Sequence, residues 1–73
     1  MFNFGTHLKS IRLSKNLTQK QLAINIGMSE IGIRKYEIGQ RKPTYDMLIA
    51  LADHFDVSID YLVGRTDKPE VNK

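Results

Sequence analysis

The sequence predicts an all-α fold, a compact five-helix domain, on three observations. Apolar residues recur at helical spacing, hydroxyl residues suited to capping stand just ahead of those runs, and Asn16, Gly27, Gly39 and Gly64 stand just behind them. No alternating strand pattern, repeat or low-complexity tract competes with this reading.

Phe4, Leu8 and Ile11 fall at i, i+4 and i+7, which predicts a first helix from about Asn3 to Lys15, closed by Asn16. In the next segment Thr18 is placed to cap the first-turn amides while Gln21 reaches back to the Thr18 amide, and Leu17 and Leu22 flank this capping box as a hydrophobic staple. A second helix over Gln19 to Ile26 follows, ended by Gly27 as a left-handed residue. Met28-Ser29 with Ile33 repeats the cap and staple and starts a third helix, Glu30 to Ile38, stopped by Gly39. Gly32 and the β-branched Ile31 and Ile33 lower its propensity, so tertiary packing has to hold it. Thr44 caps a fourth helix whose Leu48, Leu51, Ala52 and Phe55 form one apolar face, and Val57-Ser58 with Leu62 starts a short fifth, Ile59 to Val63, ending at Gly64. Residues 1–64 are the expected folded domain; residues 65–73, polar and broken by Pro69, are the expected flexible tail.

At 73 residues the chain is read as one domain with one small core. It has no cysteine, so helix packing rather than a disulfide or thiolate metal site must hold it, which suits a reducing cytoplasm. Its N-terminus lacks the basic start and apolar run of a signal peptide, and no stretch approaches the ~20 apolar residues that span a bilayer. A cytoplasmic protein with no membrane partner is expected. The net charge of +3 is modest, but its distribution is not. Residues 1–42 carry eight Lys or Arg against two Glu, and residues 43–73 carry three against six acidic residues. A positive half and a negative half is the polarity of a nucleic-acid binder.

Two helices joined by a glycine-containing turn can cross steeply only where the crossing residues are small, and Ala23 stands four before Gly27. Leu22, Ile26, Met28, Ile33 and Tyr36 supply the shared core, which leaves Glu30, Ile31, Arg34 and Lys35 on the outer side or ends of the third helix. An α-helix fits the major groove of double-stranded DNA, and its N-terminal residues reach base edges. Those four are therefore free to touch something else, and a helix presented this way suits the groove. The amide end of the second helix, with Thr18 and Gln19, is an expected phosphate site, as is the segment Gly39-Gln40-Arg41-Lys42 with its exposed amides and two cations.

The stretch Leu17-Thr18-Gln19-Lys20-Gln21-Leu22-Ala23, with Gly27-Met28-Ser29, Ile33, Tyr36-Glu37-Ile38-Gly39 and Arg41-Lys42-Pro43, resembles the lambda-repressor-like, Xre-type helix-turn-helix family. The likeness continues through Leu51-Ala52-Asp53 and Val57-Ser58-Ile59-Asp60-Tyr61-Leu62. It implies a five-helix transcriptional regulator that acts as a homodimer, more often a repressor, on a two-fold operator. It implies base contacts from the start and middle of the third helix, at Glu30, Ile31, Gly32, Arg34 and Lys35, and it pairs Glu37 with Arg12 as structural support. Such a pair could still turn Arg12 toward phosphate. Gly32 has two readings, a close approach of backbone to DNA or a tolerated small residue. The sequence departs from the commoner pattern at Glu30 and Ile31: a glutamate repels phosphate unless it accepts from cytosine, and isoleucine offers apolar contact only, as to a thymine methyl.

Other signals point elsewhere only weakly. His7 and His54 are isolated, so no metal is expected, and no cofactor motif is present. Asp53, His54 and Asp56 are close in sequence, but helix neighbours point in different directions and no nucleophile accompanies them, so no enzyme is expected. Tyr61, Leu62 and Val63 are either core or a patch joining two copies. The rival function is an interaction module of the same fold whose partner is a protein, such as a toxin or an antirepressor.

Overall fold

The computed structural model describes residues 2–71 and contains α1 (Phe4–Ser14), α2 (Gln19–Ile26), α3 (Glu30–Glu37), α4 (Tyr45–Phe55) and α5 (Ile59–Leu62). Among the described residues there is no strand, so the all-α, five-helix expectation holds. Each helix starts where a side-chain oxygen takes an amide that has no carbonyl partner. Asn3, Thr18, Ser29, Thr44 and Ser58 accept from the amides of Thr6, Gln21, Gly32, Met47 and Tyr61. At Thr18 the box is complete, because its own amide donates to Gln21 Oε1 at 2.8 Å.

Each helix also ends on a left-handed residue, Asn16, Gly27, Gly39, Asp56 or Gly64. The following amide then donates to the carbonyl five residues back, as Met28 N–H does to Ala23 O at 2.9 Å and Val57 N–H to Ala52 O at 3.0 Å. Glycine adopts this conformation without Cβ strain, which explains Gly27 at φ 74°, ψ 35°. Asp56 does so as a non-glycine residue. α1, α3 and α5 stop one residue short of their expected ends because Lys15, Ile38 and Val63 serve as C-caps.

α3 lies across α2 and α1, α4 packs on α2 and α5, and α5 closes against α1. Leu8, Leu22, Ile33, Tyr36, Leu51 and Leu62 meet at the centre, all fully buried, and Ala23 is 2% exposed. Leu62 therefore belongs to the core, and Tyr61 stands half-buried with its ring 4.9 Å from that of His7. The segment expected as a tail runs back along the turn between α4 and α5, where Ser58 N–H donates to Pro69 O at 2.9 Å. Met1, Asn72 and Lys73 lie outside the described residues. Among the described residues no helix is long and apolar enough to cross a membrane.

Candidate nucleic-acid interface

The turn at Gly27 sets α3 across α2 with opposite faces committed to opposite tasks. Ile33, Tyr36 and Glu37 are buried, whereas Glu30, Ile31, Arg34 and Lys35 are exposed. Positions 31, 34 and 35 share one face of a helix, so α3 presents an outward stripe of one apolar and two cationic side chains, with the Glu30 carboxylate at its leading end.

Gly32 requires a correction to the expected base-contacting set. It is buried, and the Met28 methyl lies 2.5 Å from where a Cβ would stand, so Met28 rather than DNA covers it. The apolar residue after the turn reaches over the first turn of α3; sequence spacing does not reveal that reach.

The inner side of α3 is fastened to α1 and α2 by one charged network. Glu37 Oε2 accepts from Arg12 Nε at 2.7 Å and its Oε1 from Arg12 Nη2 at 3.0 Å, while Gln19 Nε2 donates to the same Oε1 at 3.0 Å. Arg12 Nη1 donates to Leu17 O at 2.7 Å. All three Arg12 nitrogens thus bond within the protein, and the residue is only 6% exposed, so its guanidinium faces α3 and the α1–α2 loop rather than phosphate. The network joins the first residue of α2, the last residue of α3 and the loop before α2. It fixes Gln19 while leaving the second Nε2 hydrogen available to an acceptor in front.

Arg12–Glu37 is the one ion pair among the described residues, so Arg34, Lys35, Arg41 and Lys42 are left without a carboxylate partner. Thr18, Gly39, Gln40, Arg41 and Lys42 are exposed, and Gln19 is half-buried. Arg41 is steadied by Tyr36, its Cζ standing 5.9 Å from the ring centroid. His7 Nε2 lies 3.0 Å from Tyr61 O, and its ring contacts Phe2 and Tyr61.

Residues 8–62 match the helix-turn-helix family. The chain is 41% identical over 63 residues to YobD, an uncharacterized HTH-type transcriptional regulator of Bacillus subtilis, covering 86% of this chain and 56% of that protein. It is 43% identical over 58 residues to the cryptic phage CTXphi transcriptional repressor RstR of Vibrio cholerae, covering 80% and 52%. The chain thus spans just over half the length of these relatives. Its fold superposes on the P22 c2 repressor, solved in complex with a synthetic operator, at a TM-score of 0.81 and 25% identity, covering 86% of this chain and 96% of that one. These proteins are regulators of transcription and not enzymes. A matched family over three-quarters of the chain, a shared five-helix fold and a third helix turned outward agree: the chain belongs to the helix-turn-helix family of DNA-binding transcriptional regulators, of the lambda-repressor-like, Xre type.

Proposed function

We propose that residues 1–64 form a sequence-specific reader of double-stranded DNA that acts as a repressor, binding an inverted-repeat operator as a homodimer with one α3 in the major groove of each half-site. The observation that carries this reading is the split of α3 into a buried side, Ile33 and Tyr36, and an exposed side, Ile31, Arg34 and Lys35, with Glu30 as its exposed first residue. Glu30, Ile31, Arg34 and Lys35 are assigned to base edges. Gln19 with the amide end of α2 at Thr18, and the Gly39 to Lys42 segment, are assigned to the phosphates on either side. The repressor role is supported by likeness to RstR and to the P22 c2 repressor, each named as such.

Selection of bound sequences from a random duplex pool tests the reading. Enriched half-sites related by a two-fold axis, with centres about one helical turn or ~34 Å apart, are the expected product. Affinity for the selected duplex should fall steeply with salt, as neutralising several phosphates requires. A pool that stays random, together with salt-insensitive capture of a protein such as a toxin, would replace DNA reading by the interaction-module reading.

A further inference from the structure

The two cations that follow α3 stand at the mouth of a cleft. A cavity of about 490 Å³ opens where the start of α1, the α3–α4 loop, α4 and the end of α5 meet, and Phe2, Phe4, Tyr36, Leu48 and Val63 give it an apolar wall. Arg41 and Lys42 line it too, whereas no Asp or Glu does, and neither cation has a carboxylate partner among the described residues. Arg41 stays beside the cleft because its guanidinium lies over the ring of Tyr36, a wall residue, and its N–H groups remain available to a planar anion. The cavity between α4 and α5 has the opposite sign, lined by Asp53, Asp56 and Asp60 beside Val57 and Ile59.

These features define one kind of occupant. The volume is that of a site for a small molecule, the wall favours an apolar body, and the two unpaired cations favour an anionic head. A second copy placed here by a two-fold axis would bring its own Arg41 and Lys42 against the same charges, and a flat bilayer cannot follow a concave wall. We infer that this cleft binds a small amphipathic anion, an acyl or aryl carboxylate, with its apolar body on Phe4, Leu48 and Val63 and its charged end on Arg41 and Lys42. Resting on the phosphate role proposed above for those two residues, the occupant is also an effector. A cation that holds a carboxylate is lost to the DNA backbone, so the loaded protein releases DNA of every sequence rather than the operator alone.

Octanoate is the probe, with 1-octanol and octylammonium as uncharged and cationic controls, and amide shifts in two-dimensional NMR report where and how tightly each binds. Saturable shifts at Phe4, Tyr36, Arg41, Leu48 and Val63 are expected, with octanoate bound about ten-fold tighter than octanol and octylammonium absent from the cleft. Arg41→Gln combined with Lys42→Gln should make octanoate and octanol equal. Leu48→Phe and Val63→Phe each fill the wall, and whichever keeps the parent's unfolding midpoint should lose both ligands. Saturating octanoate should weaken operator and random duplex alike and reduce the slope of log affinity against log salt by about two, one for each cation withdrawn. Absence of saturable shifts, equal parent affinity for octanoate and octanol, or shifts confined to other surfaces overturns the inference, as does octanoate that fills the cleft and leaves duplex affinity unchanged. Broadening of the same signals with protein concentration alone would give the cleft to a second copy instead. A protein that binds no duplex fails the DNA-reading proposal and the effector role that rests on it, while the octanoate shifts still decide the site.

Discussion

Gly5 in α1 lies against Tyr36 in α3, so close that a Cβ on Gly5 would stand 2.5 Å from the Tyr36 carbonyl oxygen and would also meet the Glu37 carbonyl. Backbone at the end of a packed helix cannot step aside as a side-chain tip can. Alanine would gain about 1 kcal/mol of helix propensity over glycine, but the overlap should outweigh it. Gly5→Ala is expected to destabilise the fold by about 1–3 kcal/mol, read from the denaturant midpoint at unchanged m value. A variant as stable as the parent would show that α1 and α3 sit farther apart.

Gly32→Ala provides the contrast, because the atom in its way is the terminal methyl of Met28. That methyl has other rotamers, and the Ser29 hydroxyl, 3.2 Å from the same point, needs only a small shift. Stability within about 1 kcal/mol of the parent and unaltered operator affinity are expected. Loss of affinity with stability intact would restore Gly32 to the surface that touches DNA.

The buried pair of Arg12 and Glu37 should be costly to halve. Glu37→Ala strands the guanidinium inside, an effect of about 3–5 kcal/mol, whereas Arg12→Met combined with Glu37→Leu removes both charges and should recover most of that loss. Urea unfolding of the two variants decides the point. Equal destabilisation by the single and double changes would mean that the hydrogen bonds to Leu17 O and from Gln19 matter more than the charge pairing.

Asp56 holds a left-handed conformation, φ 56° and ψ 47°, at the C-terminus of α4, where its negative charge also faces the negative end of the helix dipole. Asp56→Gly relieves both, against the greater entropy of glycine in the unfolded chain, and should raise stability by about 0.5–1 kcal/mol. Gly27→Ala places a Cβ on the same kind of turn and should lower it by about 1–2 kcal/mol. A thermal melt showing Asp56→Gly below the parent would point to a contact of the carboxylate that offsets its strain.

What the sequence made legible was local. The capping box of Thr18 and Gln21, the serine caps and the stops at Gly27, Gly39 and Gly64 depend on residues within one turn of each other, so spacing alone identifies them. The burial of Leu22, Ile33 and Tyr36 against the exposure of Arg34 and Lys35 followed from helical periodicity in the same way. The rest is set by meetings distant in the chain. Gly5 is small because α3 crosses there, and its place on the same face as Leu8 and Arg12 was the available signal. Met28 covers Gly32 through a rotamer, Pro69 reaches Ser58 through a loop path, and Asp56 turns left-handed without the glycine that usually marks such a stop.

Lys35 and Gln19 should separate base reading from phosphate anchoring. Lys35 is exposed on the outward stripe of α3 and has no carboxylate partner among the described residues, which suits the guanine edge that the proposal gives its ammonium. Gln19 is tied by one Nε2 hydrogen to Glu37 at the amide end of α2, which leaves the other for the phosphate oxygen that the proposal assigns to it. Lys35→Ala is expected to reduce the preference for operator over random DNA by roughly 1–3 kcal/mol, whereas Gln19→Ala weakens both duplexes alike. Fluorescence anisotropy titrations of the two duplexes at matched salt distinguish these outcomes. An unchanged ratio in Lys35→Ala would remove that residue from the base-reading set. A loss confined to the operator in Gln19→Ala would make the glutamine a reader of sequence, and α2 rather than α3 would then lie deepest in the groove.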